Sequence, residues 1–291
     1  MRILVLGLTG QVAQSLIESA DQRQFVIRAV GRPELDILES SSIERAVTAF
    51  RPNFLVNAAA YTAVDKAEHE PEIAFSVNRD GARQAARAAH AAGIPIIHLS
   101  TDYVFDGKSQ HPYREMDPTG PLNVYGRSKL EGEHAVAEAT PDYVILRTSW
   151  VYSPFGNNFV KTILRLAAER GTIPVVDDQV GRPTYAADIA EAILDVCARR
   201  STIRPTGVFH LAAAGETSWF GFANYIMGVS AEKGGPSAVV EPIKTADYPT
   251  AAVRPANSRL DCSKLRDVAG ISLPHWQDAT NRCIGRLLAH N

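Results

Sequence analysis

Arg2-Ile3-Leu4-Val5-Leu6-Gly7-Leu8-Thr9-Gly10-Gln11-Val12-Ala13 follows directly on Met1. The run from Arg2 to Leu6 lacks polar alternation and ends at glycine, which fits a strand buried on both faces. Beyond it Val12, Ala13, Leu16, Ile17 and Ala20 recur on one helical face. The stretch therefore reads as strand, glycine turn and helix. Backbone amides of such a turn, with the helix N-terminus behind them, can receive a pyrophosphate. The spacing is Gly-x-x-Gly-x-x-Ala, which differs from G-x-G-x-x-G, although Ala13 is small enough to keep the close helix-to-strand contact. A glycine turn of this kind also occurs without any ligand, so Gly7, Gly10, Gln11 and Val12 are candidates on this ground alone.

The same alternation continues. A second strand over Phe25 to Val30 ends at Gly31-Arg32, and a helix follows from the serines at 40 to 42 to Phe50. A third unit starts at Phe54-Leu55-Val56-Asn57-Ala58-Ala59, and the alanine-rich run from Asn78 to Ala92 reads as a helix closed by Gly93. Ile94 to Leu99 reads as the next strand. Ser100-Thr101-Asp102-Tyr103 then falls beyond its carboxyl end, where open parallel sheets place their chemistry. A helix near Tyr125 and a strand from Tyr143 to Leu146 complete an α/β, doubly wound parallel sheet of the Rossmann type. Past Trp150 the pattern loosens, and Val208 to Leu211 reads as a strand able to rejoin the main sheet. The expected division is 1–150 for a dinucleotide-binding domain and 151–291 mainly for a smaller substrate-binding lobe, with some segments returning to the first.

Composition removes several classes of function. With 291 residues, 45% hydrophobic and 21% charged, the chain can bury a full core without a staple. No apolar run approaches bilayer length, and the N-terminal apolar segment is too short for a secretory signal. Cytoplasm is the expected compartment. Cys197, Cys262 and Cys283 are odd in number and widely separated, which suggests neither a disulfide framework nor a zinc site. A net charge of −2 without a basic block argues against nucleic acid as a partner.

Tyr125-Gly126-Arg127-Ser128-Lys129 places a phenol and an ammonium four positions apart, on one face of a helix. Nine tyrosines and seven lysines give roughly 0.2 such spacings by chance, so the pair is suggestive on its own and equally a surface-helix pattern. It stands in line with the glycine turn and with Thr101 at a strand end, so three separate features address one crevice. A phenol of pKa about 10 can protonate a developing alkoxide. An ammonium about 4 Å away stabilises the phenolate by about 4 kcal/mol at an effective dielectric near 20. Lys129 is accordingly expected to pull the Tyr125 phenol down, and the Thr101 hydroxyl to hydrogen-bond a substrate oxygen as it gains charge. Arg32, at the end of the second strand where an acid would select a free ribose, leans the cofactor reading toward NADP(H), unless it is only a solvated turn residue.

These motifs, with Asn57-Ala58-Ala59-Ala60, resemble those of the extended short-chain dehydrogenase/reductases. The resemblance is tightest to the branch that reduces a dTDP-linked 4-keto-6-deoxy sugar. It extends over almost the whole chain through Ala59-Ala60-Tyr61-Thr62-Ala63-Val64-Asp65, Ser100 to Phe105, Arg147 to Tyr152, Gly181-Arg182-Pro183-Thr184 and Arg254-Pro255-Ala256-Asn257-Ser258.

The resemblance implies reduction of the C4 ketone of dTDP-4-dehydro-6-deoxy-L-mannose, the last step of dTDP-rhamnose biosynthesis. NADP(H) is the preferred cofactor and NAD(H) an acceptable one. It implies Tyr125 as proton donor, Lys129 as its electrostatic partner and ribose anchor, and Thr101 as partner of the substrate oxygen. Asp36 and Ile37 would approach the adenine, and Ala59, Ala60 and Tyr61 would lie along the cofactor. Asp102, Tyr103, Trp150 and Arg182 would meet the sugar nucleotide, although Trp150 also reads as an ordinary core aromatic. Some members dimerise through magnesium held by glutamates, one of them just after the turn. Ser15 stands there in this chain, so metal and dimer are not expected with any force, and monomer and homodimer both stay open. A dehydratase would carry Asp-Glu after the threonine, where this chain has Asp102-Tyr103. The same fold also serves as a non-catalytic regulatory subunit of methionine adenosyltransferase and as sugar-nucleotide epimerases, which are the competing readings.

Overall fold

The computed structural model describes residues 1–200, 203 and 205–289. Its first half is built from β1 (Arg2–Leu6), α1 (Gln11–Arg23), β2 (Val26–Val30), α2 (Ser40–Phe50) and β3 (Phe54–Asn57). Two short helices follow, α3 (Val64–Ala67) and α4 (Pro71–Phe75), then a π-helical turn over Ser76–Gly81 that runs into α5 (Ala82–Ala91). β4 (Ile96–Thr101), a 3-10 turn at Asp102–Val104, α6 (Val124–Ala139) and β5 (Tyr143–Thr148) complete this half.

The second half contains β6 (Val151–Tyr152), α7 (Phe159–Glu169), β7 (Thr172–Val176), β8 (Val180–Gly181), β9 (Thr184–Tyr185) and α8 (Ala186–Arg199). After these come β10 (Gly207–His210), β11 (Thr217–Ser218), α9 (Trp219–Glu232), β12 (Val239–Ile243), α10 (Ser263–Ala269) and α11 (Trp276–Leu288).

Six strands form one parallel sheet in the order β10-β5-β4-β3-β1-β2. The strand at 207–210 thus rejoins the sheet beside β5, as its apolar run allows. The order reverses between β1 and β3, the switch point outside which a doubly wound sheet binds ligands. Alternation along β1 sends Ile3 and Val5 into a core with α1 and α8, and Leu4 and Leu6 into a second core with α2 and α5. All four are fully buried, worth roughly 1.5–3 kcal/mol each. A third core gathers Tyr152, Phe222, Ile226, Trp276 and Ile284 under α7, α9 and α11. Among the described residues no helix is long and apolar enough to cross a membrane.

The boundaries differ from the sequence reading at two informative places. The helix expected from Asn78 onward begins earlier and contains the π-helical turn, and β4 runs Ile96–Thr101, two residues past the expected end. Thr101 is therefore the last residue of a strand held by its ladder, in register with Thr148 of β5.

Candidate functional site

The turn after β1 is shaped by close backbone approach. Gly7 adopts φ +112, and a Cβ there would stand 3.0 Å from the Ala59 nitrogen. Glycine is what lets the turn lie against the Ala58-Ala59 loop after β3. Gly10 caps α1 without any side-chain hydrogen bond to the first-turn amides, so these donors and the helix dipole face the cleft mouth. Gln11 reaches sideways: its Nε2 donates to the Val151 carbonyl at 3.3 Å, and its Oε1 accepts from Ser153 Oγ at 2.8 Å and Asn158 Nδ2 at 3.1 Å. The turn is thereby tied to the segment leading into α7.

A cleft of about 640 Å³ runs over the switch point. Gly7, Gly10, Gln11, Val12, Arg32, Ile37, Ala59, Ala60, Tyr125 and Lys129 line it, joined by Ser100 and Thr148. Asp36 and Tyr61 do not. Asp36 accepts from the Leu38 amide at 3.0 Å and sits 3.8 Å from Arg32 Nε. The Tyr61 hydroxyl donates to Glu70 Oε2 at 2.7 Å. The cleft fits an elongated dinucleotide: first-turn amides of α1 without a side-chain cap, a glycine turn held against the Ala58-Ala59 loop, and a buried Thr148 hydroxyl with no partner in the protein.

Tyr125 and Lys129 are positioned by how α6 is seated. The Asn123 side chain caps the helix by accepting from the Gly126 amide at 2.8 Å. A Cβ at Gly126 would lie 2.2 Å from the Tyr103 carbonyl oxygen, and one at Gly132 would lie 2.2 Å from that of Asn78. The two glycines let α6 press onto the 3-10 turn after β4 and onto the π-helical turn. Tyr103 and Tyr125 meet edge to face with centroids 5.7 Å apart.

Lys129 is buried and donates from Nζ to the Leu99 carbonyl at 2.6 Å. Burial pushes its ammonium down to about 8, against the pull of the Glu133 carboxylate. The Tyr125 phenol is pushed up to about 12 by burial, offset in part by the Thr101 hydroxyl and reinforced by Asp102. This corrects the sequence expectation that Lys129 draws the phenol down: in the free protein burial sets the direction, and the ammonium's contact goes to the Leu99 carbonyl.

Thr101 Oγ1 donates to Asp102 Oδ1 at 3.0 Å and accepts from the Tyr103 amide at 3.2 Å. Asp102 is buried, and its carboxyl is pushed up to about 6 by that burial, with Ser258 and Thr101 opposing. Burial likewise raises the Tyr103 phenol, and the Asp102 charge adds to it. Arg254 holds Asp65 at 2.6 Å, so the 254–258 motif braces this corner from two sides.

Trp150 follows β5 at φ 48 and stacks on Trp219, 3.5 Å between centroids and 8° between planes. Its ring occupies space that only a glycine at 181 leaves open, since a Cβ there would come within 2.4 Å. It does not line the cofactor-sized cleft. Arg182 accepts from Ser149 Oγ at 2.9 Å through its carbonyl, and its guanidinium acts on Asp261 and Cys262. Ser15 donates to the Gln11 carbonyl at 2.9 Å, an arrangement that offers no carboxylate to a metal.

Several residues that the sequence reading passed over hold the site together. Asn78, buried in the π-helical turn, accepts from the Tyr61 amide at 2.8 Å and donates to Ser128 Oγ at 2.9 Å. Ser128 in turn donates to the Tyr125 carbonyl at 2.8 Å. Glu133 accepts from Ser100 Oγ at 2.5 Å and from Arg147 at 2.9 and 2.7 Å. A glutamate one helical turn after Lys129 on the same face was the available signal; its partners on β4 and β5 were not.

A doubly wound parallel sheet with a glycine turn after β1 and a Tyr-x-x-x-Lys helix seated beside β4 is the architecture of the extended short-chain dehydrogenase/reductases. Within that class, the chain belongs to the family described as RmlD substrate binding domain, whose model matches residues 1–289. A dTDP-4-dehydrorhamnose reductase of Sinorhizobium fredii is 50% identical over 291 residues, covering 99% of this chain and 98% of that one. The crystal structure of a dTDP-4-dehydrorhamnose reductase from Clostridium acetobutylicum superposes with a TM-score of 0.93 at 34% identity, over 99% of this chain and 100% of that one. The Bacillus anthracis dTDP-4-dehydrorhamnose reductase, solved in complex with NADP, gives 0.92 at 36% identity, over 98% and 99%.

Proposed function

We propose that this chain reduces the C4 ketone of dTDP-4-dehydrorhamnose to give dTDP-L-rhamnose, using a reduced nicotinamide dinucleotide. The observation that carries the reading is that Tyr125 and Lys129 line the cleft that opens over the glycine turn, while Thr101, which does not line it, hydrogen-bonds Tyr125 from the end of β4. The names and near-complete coverage of its relatives support the choice of sugar. Residues 1–150 hold the cofactor in this reading, and 151–291 mainly hold the substrate.

The cofactor, when bound, supplies the hydride that reaches C4. The residues act on the oxygen. Tyr125, protonated throughout the physiological range, donates its hydroxyl proton to the C4 oxygen as charge builds there. The Thr101 hydroxyl hydrogen-bonds the same oxygen. Lys129, mostly cationic at neutral pH, faces the phenolate left behind and opposes the cost of burying it. Its ammonium has three donors, one of them used on Leu99, so two are free for ribose hydroxyls. Asp102, Tyr103, Trp150 and Arg182 border the sugar nucleotide.

Arg32 lines the adenosine end of the cleft and favours a 2′-phosphate, so NADPH is the preferred cofactor and NADH a usable one. Ser15 stands where a magnesium-holding glutamate would be, which argues against a metal-bridged dimer, and the enzyme works in the cytoplasm as a monomer or homodimer. The test is oxidation of NADPH, and of NADH in parallel, with dTDP-4-dehydrorhamnose, the product identified as dTDP-L-rhamnose. Folded protein that binds cofactor without turning over the sugar would instead support the regulatory-subunit reading.

A further inference from the structure

We propose that the Thr148 hydroxyl is a ligand-binding group of the cleft, hydrogen-bonding the carboxamide at the nicotinamide end of the bound dinucleotide; the inference rests on the cofactor reading above. Thr148 is the last residue of β5 and pairs in register with Thr101 of β4. The two side chains therefore leave the same face of the sheet. Both are buried, at 6% exposure for Thr101 and 7% for Thr148.

Their hydroxyls are used differently. Thr101 both donates and accepts within its own turn. Thr148 Oγ1 has no partner in the protein and is itself buried, while the residue lines the cleft together with Tyr125 and Lys129. A buried hydroxyl without a partner is uncommon because the lost hydration goes uncompensated. Thr148 meets the cleft through its carbon atoms, Oγ1 itself being inaccessible, so a turn about χ1 that exchanges hydroxyl and methyl is what brings Oγ1 to a ligand in the cleft.

The polarity of the cleft says which part of the ligand arrives there. Diphosphate belongs at the uncapped N-terminus of α1. Arg32 and Ile37 border one end, and Tyr125, Lys129 and Thr148 border the other. With the adenosine beside Arg32, the nicotinamide lies beside Thr148. The carboxamide is the ring's hydrogen-bonding substituent and offers donors and an acceptor, and a threonine hydroxyl can match either. The bond would also select a ring face. Turning the ring over about its ribose bond swings the carboxamide away from Thr148, so Thr148 fixes which hydride is presented toward the Tyr125 side.

Titration calorimetry on the intact protein tests this with two ligands, NADPH and 2′-phospho-ADP-ribose, which lacks the nicotinamide. Thr148→Val keeps the shape and removes the hydroxyl. It is expected to weaken NADPH about five- to tenfold, the equivalent of one neutral hydrogen bond, and to leave the fragment within about twofold. Thr148→Ser is expected to recover most of the NADPH affinity. Unchanged NADPH binding in Thr148→Val overturns the inference, as does an equal loss for both ligands or a wild type that binds no NADPH. The function is separable from it: wild-type protein that binds NADPH and shows the Thr148 effect, yet does not reduce the sugar, leaves the inference standing and removes the proposed substrate.

Discussion

Lys129 Nζ donates to the Leu99 carbonyl oxygen at 2.6 Å, a buried contact that bolts α6 to β4 two residues before Thr101. The bond sets the distance between the helix that carries Tyr125 and the strand that carries Thr101. It also leaves the ammonium in a low-dielectric setting where it is held only down to about 8. The cation survives there partly because Glu133 lies one turn further along the same helix.

That arrangement gives a pH prediction. Lys129 meets Glu133 from its own helix and the buried, neutral His98 from β4. Loss of the Lys129 proton removes the charge that faces the phenolate, so kcat/KM is expected to fall as pH rises through about 8. Glu133→Gln removes a carboxylate that favours the cation, so the alkaline limb should move to lower pH. The measurement is kcat/KM from pH 6 to 9.5 for both proteins. A limb that stays in place would mean Glu133 does not act on Lys129.

Gly132 and Gly126 carry a packing prediction. An alanine methyl at 132 would fall 2.2 Å from the Asn78 carbonyl oxygen, far inside contact distance. Gly132→Ala should cost about 1–3 kcal/mol in urea unfolding and lower kcat more than it weakens cofactor binding, because it lifts the Tyr125 helix. Gly228, with open space around its Cβ position, is the control: Gly228→Ala should be neutral or stabilising. Equal effects at both positions would defeat the explanation.

How much of this was written locally in the chain varies with the range of the interaction. β1, the Gly7 turn and α1 were legible because one hydrophobic run and one helical period adjoin a pair of glycines. The Tyr125 and Lys129 pair was legible because four residues is a helical repeat. The π-helical turn at Ser76–Gly81 was not, since the alanines after Asn78 fit an ordinary helix and the close approach of Gly132 of α6 to the Asn78 carbonyl is a contact distant in sequence. Nor was the Trp150 environment. Its partner Trp219 is distant in sequence, and the room for the ring depends on Gly181. The Tyr125 phenol was misjudged for a similar reason: a pair spacing conveys the nearby charge but not the depth of burial that overrides it.

Asp102 supplies a stability prediction. Burial raises its carboxyl to about 6 from an ordinary 3.8. The folded protein therefore holds this proton more tightly than the unfolded chain, and the associated stability is complete below about pH 4 and lost as pH rises through about 6. Asp102→Asn resembles the protonated form and should gain on the wild type between pH 4.5 and 7.5, by about 3 kcal/mol at most. Urea midpoints at the two pH values measure it. A stability difference that does not change with pH would rule out a neutral Asp102 in the fold.

The most direct test of the central claim is Tyr125→Phe assayed with NADPH and dTDP-4-dehydrorhamnose, beside calorimetric binding of the cofactor. The ring packs edge to face on Tyr103, and loss of the hydroxyl alone leaves a ring of the same shape in place. The expected result is a fall in kcat of about 10²- to 10⁴-fold with NADPH affinity within about twofold of wild type. Turnover near the wild-type rate would contradict proton donation by Tyr125 and, with it, the mechanism proposed for this site.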